Sequence, residues 1–284
     1  MLTKLTLIKD NEEQAIAIVQ KETKSVINFF EGVKLCNNPD KACKIWNFGG
    51  KHRDIEMEIG GELLKSKETE KLLGVNISSN LGWGTHVNKL CQTLKQRLTL
   101  LTRIKHKVNS HKLKIIAEAI FVSKIRYCIS VYTNPKFEFN HLEQPMDPNI
   151  LELQVIHNDV IRLIEGHKRA DHTNMEKLRT KQKIMSINQI SIYHTAVDMF
   201  NIIHNASSDT LQQKMKIEPR GYHLRCLEDG KVRVPAKGKK SCTGFSYNGP
   251  KLWNYLPDHI RKTTLRGVFK NKMKDWIWEF IPSV

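Results

Sequence analysis

The chain has 284 residues, of which 46 are lysine or arginine and 29 are aspartate or glutamate, so its formal net charge is +17. Hydrophobic residues make up 40% of it and the mean hydropathy is −0.44, values that exclude a predominantly disordered chain. A charge of this size favours a polyanionic partner, most often a nucleic acid. The alternative is a basic surface that serves only solubility.

The sequence also argues against a membrane or extracellular protein. Its apolar stretches are shorter than the roughly 20 residues that a membrane span requires, and the N-terminal MLTKLTLIKDNEEQ turns acidic too early for a secretory leader. The six cysteines include no C-x-x-C pair and no zinc-finger spacing. We therefore expect an intracellular protein with reduced thiols and no membrane partner, and the nucleus and the cytoplasm remain open.

The N-terminal stretch predicts one helix followed by three short strands. A capping-box pattern and an apolar face at helical spacing predict a helix over residues 11–31. Residues 41–50 and 54–64 alternate with period two, and the second run, with Met57 facing inward, ends at a Gly-Gly turn. The run EKLLGVNI, residues 70–77, predicts the third strand.

From Thr85 onward the apolar spacing is that of helices. A leucine-rich face runs from there to Val108, and Ser110 is predicted to cap a second helix with Tyr127 among its inward side chains. Later in the chain, three further helix boundaries are marked by short local patterns. These are Asp147-Pro148 as a start, Gly166 as an end, and the capping box of Ser186 and Gln189 as the next start.

The last part of the chain is predicted to be an irregular or hairpin segment over residues 206–249 and to end in a helix capped by Thr264. The buried face of that helix is expected to comprise Leu265, Val268, Phe269, Met273, Trp276 and Phe280. The predicted fold class is therefore α+β and mostly α-helical, with a small strand module, a helical bundle and a C-terminal helix.

Basic residues are concentrated between residues 85 and 130, where Glu118 is the single acid. They lie off the leucine stripe, so one helix face carries nearly one sign of charge, and like charges at this spacing repel each other. A row of phosphates would reverse that repulsion, whereas the alternative is a solvated basic face. The residues predicted to bind nucleic acid are Lys89, Lys95, Arg97, Arg103, Lys105, Lys107, Lys112 and Lys114. A second basic run, residues 220–240, is either a polyanion-binding arm or a disordered loop.

Patterns that carry catalysis are absent from the sequence. It contains no P-loop, no nucleophile elbow and no H-E-x-x-H motif. It also lacks an Asp-Asp pair, although two-metal phosphoryl transfer requires clustered carboxylates. His167 and His172 flank Asp171, and a polar loop is favoured there over a metal site. We predict no catalytic residues, no bound metal, no cofactor and no small-molecule substrate.

Five segments occur in an order that is shared with a known family. They are TLIKDNEEQAIAIV, LCNNPDKACKIWNF, EKLLGVNISSNLGWGTHVNKL, LQVIHNDVIRLIEG and FSYNGPKLWNYLPDHIRKTTLRGVFKNKMKDWI. In this order they resemble the C-terminal part of non-LTR (LINE-type) retrotransposon reverse transcriptases. The counterparts are the segment after the catalytic aspartates, the L-N-x-x-K-T motif, the Y-L-G-V strand with the thumb start, a thumb helix and the closing W-N-x-L-P segment.

The resemblance implies roles for four residues and a division into three domains. Leu73, Gly74 and Val75 correspond to the primer grip, which holds the primer 3′ end, and Lys41 to a lysine that assists the leaving pyrophosphate. The implied domains are a partial palm over 1–82, a thumb-like helical domain over 83–205, and a basic irregular segment with a C-terminal helix over 206–284.

The sequence departs from the family at the catalytic centre, because the fingers, the first metal-binding aspartate and the Y-x-D-D pair have no counterpart. We therefore expect a truncated, catalytically silent reverse transcriptase-like protein that binds the template–primer backbone. One alternative is that a longer polypeptide supplies the carboxylates, so that the whole is an RNA-directed DNA polymerase that uses Mg²⁺. Another is a helical protein whose basic faces bind an acidic protein.

Overall fold

The computed structural model describes residues 12–34, 45, 55–59, 62–138, 147–204, 207–215, 230–235 and 244–281. The chain forms two compact units, Met1–His86 and Val87–Val284. The fold is α+β and mostly α-helical, as the sequence predicts, and the described strands all lie in the first unit. The predicted three-domain division stays a prediction.

The first unit contains helix α1, Glu12–Gly32, which confirms the predicted N-terminal helix. Strands β1, Glu56–Ile59, and β2, Glu62–Lys65, pair antiparallel with Ile59 opposite Glu62, and the predicted Gly-Gly turn between them lies outside the described residues. Met57 is buried while the glutamates on either side of it are exposed, which confirms the period-two pattern. The strand predicted over residues 41–50 lies outside the described residues except for Ile45.

The run predicted as a third strand is a second hairpin, and the prediction of one strand is wrong. Strands β3, Thr69–Leu72, and β4, Val75–Ser78, pair antiparallel, with Leu72 opposite Val75. The two residues between them, Leu73 and Gly74, have φ of 48° and 88°, both in the left-handed region that a two-residue hairpin turn requires. Glycine adopts this conformation without steric cost. The apolar run continues through the turn, so periodicity alone did not reveal it.

The second unit is helical. A π-helical turn, Glu118–Val122, joins the second and third of its helices, and a 3₁₀ turn, Arg169–Asp171, follows the fifth. The helices are α2 (Gly84–Ile104, which begins at the end of the first unit), α3 (Ser110–Ala117), α4 (Ser123–Arg126), α5 (Ile129–Tyr132), α6 (Pro148–Glu165), α7 (Met175–Gln182), α8 (Ile187–Ile203), α9 (Asp209–Met215), α10 (Phe245–Tyr255), α11 (Asp258–Arg261) and α12 (Arg266–Phe280).

Local capping chemistry sets several of these boundaries as predicted. The Asp147 carboxylate accepts a hydrogen bond from the backbone N–H of Asn149 at 2.9 Å, and Gly166 ends α6 at φ 79°. At the start of α8, the Gln189 side chain accepts from the Ser186 N–H at 2.9 Å and the Ser186 hydroxyl accepts from the Gln189 N–H at 3.3 Å. This reciprocal pair is the predicted capping box.

The helix predicted to start at Ser110 differs in two respects. Its cap is Asn109, whose side chain accepts from the backbone N–H of Lys112 at 2.9 Å. Tyr127 is 49% exposed, so the prediction that it faces inward is wrong. The π-helical turn explains this, because its wider spacing rotates every later side chain away from the stripe of a regular α-helix.

The C-terminal helix α12 begins after Leu265 instead of Thr264. Its buried stripe is narrower than predicted, since Leu265, Val268 and Phe280 are exposed. The residues that do face inward, Phe269, Met273, Trp276 and Ile277, follow the i, i+4, i+7, i+8 spacing of one helix face.

The stretch predicted as irregular, residues 206–249, contains α9 and the start of α10, and the prediction is wrong there. Packing against other helices, which a local sequence pattern does not show, accounts for α10. A buried apolar cluster of the second unit lies between α8, α10 and α12 and includes Trp253 and Phe269, whose rings stack with centroids 5.8 Å apart. A Cβ on Gly249 would lie 2.7 Å from Met199 Sδ, so glycine permits the close approach of α10 to α8.

Candidate functional site

The strongest candidate site is a basic turn between α2 and α3. We define the basic turn by four cations, Arg103, Lys105, Lys107 and Lys112. Arg103 closes α2, the two lysines follow directly, and Lys112 stands in the first turn of α3. The segment contains no acidic residue from position 101 to 117.

Local hydrogen bonds hold the backbone of this turn in place. Lys107 donates its N–H to the Ile104 carbonyl at 2.8 Å, and Asn109 caps α3. The Ser110 hydroxyl donates to the carbonyl of Ile164 at 2.9 Å, which ties the turn to the end of α6. The four cations are therefore presented by an anchored backbone, and less conformational entropy is lost when they bind.

Three of the four side chains are exposed, and that of Lys105 is partly exposed. Across the described residues, none of the four forms an ion pair. The three acids of the neighbouring α6 are engaged elsewhere: Glu152 pairs with Lys95, Asp159 with Arg169, and Glu165 with Lys181 at 2.5 Å. The turn therefore carries four uncompensated positive charges, and it can bind an anion with several charged oxygens.

The other predicted contacts are spread along the helices or used within the protein. Lys95 forms an ion pair with Glu152 of α6 at 2.7 Å, and Lys114 donates to the Gln182 carbonyl at 2.6 Å. Lys89 is exposed and lies 14 residues before Arg103, which corresponds to about 21 Å along the helix axis. The structure thus does not bring these three residues into the basic turn.

Arg97 supports the π-helical turn. Its guanidinium donates to the backbone carbonyl of Ile120, inside the segment where the regular i+4 hydrogen-bond pattern is interrupted. The side chain is only partly exposed and reaches 23 residues along the chain to make this bond. Its position favours a structural role.

Replacing Arg97 and Arg103 of α2 separately with glutamine distinguishes the structural role of Arg97 from the binding role of Arg103. We expect Arg97→Gln to lower the free energy of unfolding by about 1–2 kcal/mol, because the Ile120 carbonyl loses a charged donor. We expect Arg103→Gln to change it by less than about 0.5 kcal/mol, because that side chain is exposed. Urea unfolding monitored by circular dichroism measures both, and a larger loss for Arg103→Gln would contradict the assignment.

The three residues that correspond to a primer grip lie at the second hairpin of the first unit. Leu73 and Gly74 form its turn, and the Leu73 side chain is 70% exposed. Val75 begins β4 and is buried. The hairpin thus presents an apolar side chain at its tip, while Val75 serves its packing.

The remaining candidates have limited structural support. Lys41 lies outside the described residues. His167 Nδ1 lies 3.7 Å from Asp171 Oδ2 in the loop after α6.

Within the described ranges, no three histidine, cysteine or acidic side chains are grouped so that they could hold a metal ion. Among the helices of those ranges, none has the length and apolar character to cross a membrane.

Two further exposed or partly exposed cations, Arg266 and Lys270 on α12, are not among the predicted contacts. Their i, i+4 spacing on one helix face was an available signal. It was obscured because the predicted buried face of this helix was too wide.

Comparison with known proteins identifies no relative: no family model, no curated protein and no solved structure matches the chain.

Proposed function

We propose that this protein binds the phosphate backbone of duplex nucleic acid through the basic turn. The observation that supports this most is the group of four cations, presented on an anchored turn and without ion pairs among the described residues. Duplex DNA offers one negative charge per about 1.7 Å of its axis, so a compact group of cations can contact several phosphates at once. Such contacts do not read sequence.

We further propose that the chain is a reverse transcriptase-like protein of the non-LTR retrotransposon type that does not polymerise by itself. The ordered motifs support this reading. The carboxylates that hold Mg²⁺ in that family have no counterpart in the sequence, so the residues present do not fit the metal and no catalytic step is assigned to them.

The binding proposal is tested by fluorescence anisotropy with a labelled 20-base-pair DNA duplex in 0.1 M salt. We expect saturable binding that an unlabelled duplex of unrelated sequence displaces. Polyglutamate serves as the competitor that represents an acidic protein partner. Displacement by polyglutamate at a lower charge concentration than by duplex would contradict a preference for phosphate.

The second part of the proposal predicts no nucleotide incorporation. The purified chain is incubated with a primed RNA template, deoxynucleotides and Mg²⁺ or Mn²⁺, and primer length is read on a denaturing gel. We expect the primer to stay unextended, since no carboxylate set in the chain matches the family's metal site. Extension above a mock preparation purified in parallel would overturn this expectation.

A further inference from the structure

Three cations lie on two helices that pack against α8. Arg126 closes α4, and Arg266 and Lys270 lie one turn apart on α12. Both α4 and α12 pack against α8. Arg126 and Arg266 are exposed, and Lys270 is partly exposed. Helix packing therefore places Arg126 and the α12 pair against the same helix, although Arg126 lies 140 or more positions before that pair in the sequence.

These charges act on two adjacent residues of α8. Burial, followed by the charges of Arg126 and Lys270, lowers the pKa of His194 to about 4. The pKa of Tyr193 is raised by burial, against the opposite influence of Arg126 and Arg266. All three cations thus lie within electrostatic reach of the same short stretch of α8.

A carboxylate within electrostatic reach of Arg266 is Asp198, which lies one turn beyond His194 on α8. It is only partly exposed and its Oδ2 accepts a hydrogen bond from the Ser130 hydroxyl at 2.6 Å. Burial raises the pKa of Asp198, while the Ser130 hydrogen bond and the charge of Arg266 oppose that rise. Within the described part of the chain, Arg126, Arg266 and Lys270 form no ion pair with it or with any other acid.

We propose that Arg126, Arg266 and Lys270 form a second binding site for the phosphodiester backbone, the α8 cation cluster, which is separate from the basic turn. The proposal rests on the proposed binding of nucleic acid and extends it to another surface of the helical unit. Like charges held together repel each other, and phosphate oxygens would relieve that repulsion. Guanidinium groups bind two oxygens of a phosphate at once, which suits Arg126 and Arg266 to this ligand.

The first test removes two charges from the cluster and compares the salt dependence of duplex binding. For Arg126→Gln/Arg266→Gln we expect the slope of log affinity against log salt to become shallower by about 1.8, and affinity at 0.1 M salt to fall roughly 10- to 60-fold. The matched control is Lys177→Gln/Lys183→Gln, which removes two exposed charges on and just after α7, a helix that packs against α6. Equal slopes for the two double variants would overturn the proposal.

The second test uses the wild-type chain, so it does not depend on a variant that folds. Lysines are acetylated in the presence and absence of saturating duplex and quantified by mass spectrometry. We expect duplex to protect Lys270 at least about threefold more than Lys177, because phosphate contact masks the amine. If the duplex binds and Lys270 reacts as freely as Lys177, the cluster is not a site and the basic turn is unaffected. If the duplex does not bind at all, both proposals fail.

Discussion

Replacing all four cations of the basic turn with glutamine is expected to reduce affinity for a DNA duplex by about 3.6 orders of magnitude at 0.1 M salt. Each lost phosphate contact removes about 0.9 counterions from the release that drives binding, and four contacts amount to roughly 3.6 decades at that salt concentration. The four side chains are exposed or partly exposed and form no ion pair among the described residues, so their removal leaves no acid without a partner there. We therefore expect the free energy of unfolding to change by less than about 1 kcal/mol.

The matched control keeps every charge and changes only its chemistry. It combines Arg103→Lys, Lys105→Arg, Lys107→Arg and Lys112→Arg. Because backbone contacts depend mainly on charge, we expect this variant to bind within about fivefold of wild type. Anisotropy titrations of the three proteins give the affinities. A glutamine variant that binds like wild type would show that the turn is only a solvated basic surface.

The stability of the helical unit is expected to fall by about 2 kcal/mol between pH 7 and pH 5 because of one buried histidine, His157. Its side chain is fully buried in α6, its ring stacks on Phe121, and neither ring nitrogen has a hydrogen-bond partner among the described residues. Burial, followed by the charges of Arg179 and Arg126, lowers the pKa of His157 to about 3.

The direction of this change in stability follows from which state of the chain binds a proton at His157. An unfolded chain has a histidine pKa of about 6.5, so between pH 6.5 and pH 3 the unfolded state binds the proton and the folded state does not. The contribution of neutral His157 to folding stability is therefore fully present above pH 6.5 and is lost as the pH falls towards 3. Burial also lowers the pKa of His194 and His86, so these residues contribute in the same direction.

The prediction is checked by urea unfolding of wild type and His157→Leu at pH 7 and pH 5. Leucine fills a similar volume and does not titrate, so we expect this variant to lose about 2 kcal/mol less than wild type over that interval. His111→Gln, at an exposed position, is the control and should keep the wild-type pH dependence. An unchanged pH dependence in His157→Leu would show that the ring is not buried in its neutral form.

The parts of the fold that sequence analysis predicted correctly depend on chemistry within one helical turn. The cap at Asp147 and the reciprocal pair of Ser186 and Gln189 each involve groups two or three positions apart. The second hairpin was missed because Leu73 and Gly74 reverse the chain without breaking the apolar pattern. The side chain of Tyr127 was wrongly predicted to face inward because no local sequence pattern indicates the π-helical turn.

The candidate site was only partly predictable from the sequence, because it depends on contacts between residues that are far apart in the chain. Its charges are visible in the sequence, but which of them remain available depends on contacts between distant residues. Glu152, 57 positions away, engages Lys95, and Ile120 engages Arg97. The α8 cation cluster depends on α4 and α12 both packing against α8, and no local pattern encodes that arrangement.

The most direct test of nucleic-acid binding at the basic turn is the salt dependence of duplex affinity, measured from 0.05 to 0.3 M for wild type and for the four-glutamine variant. We predict that log affinity falls linearly with log salt and that the wild-type slope is steeper by about 3.6, one counterion-release increment of about 0.9 for each cation. Two parallel lines, or a wild-type affinity that does not depend on salt, would contradict phosphate binding at this turn.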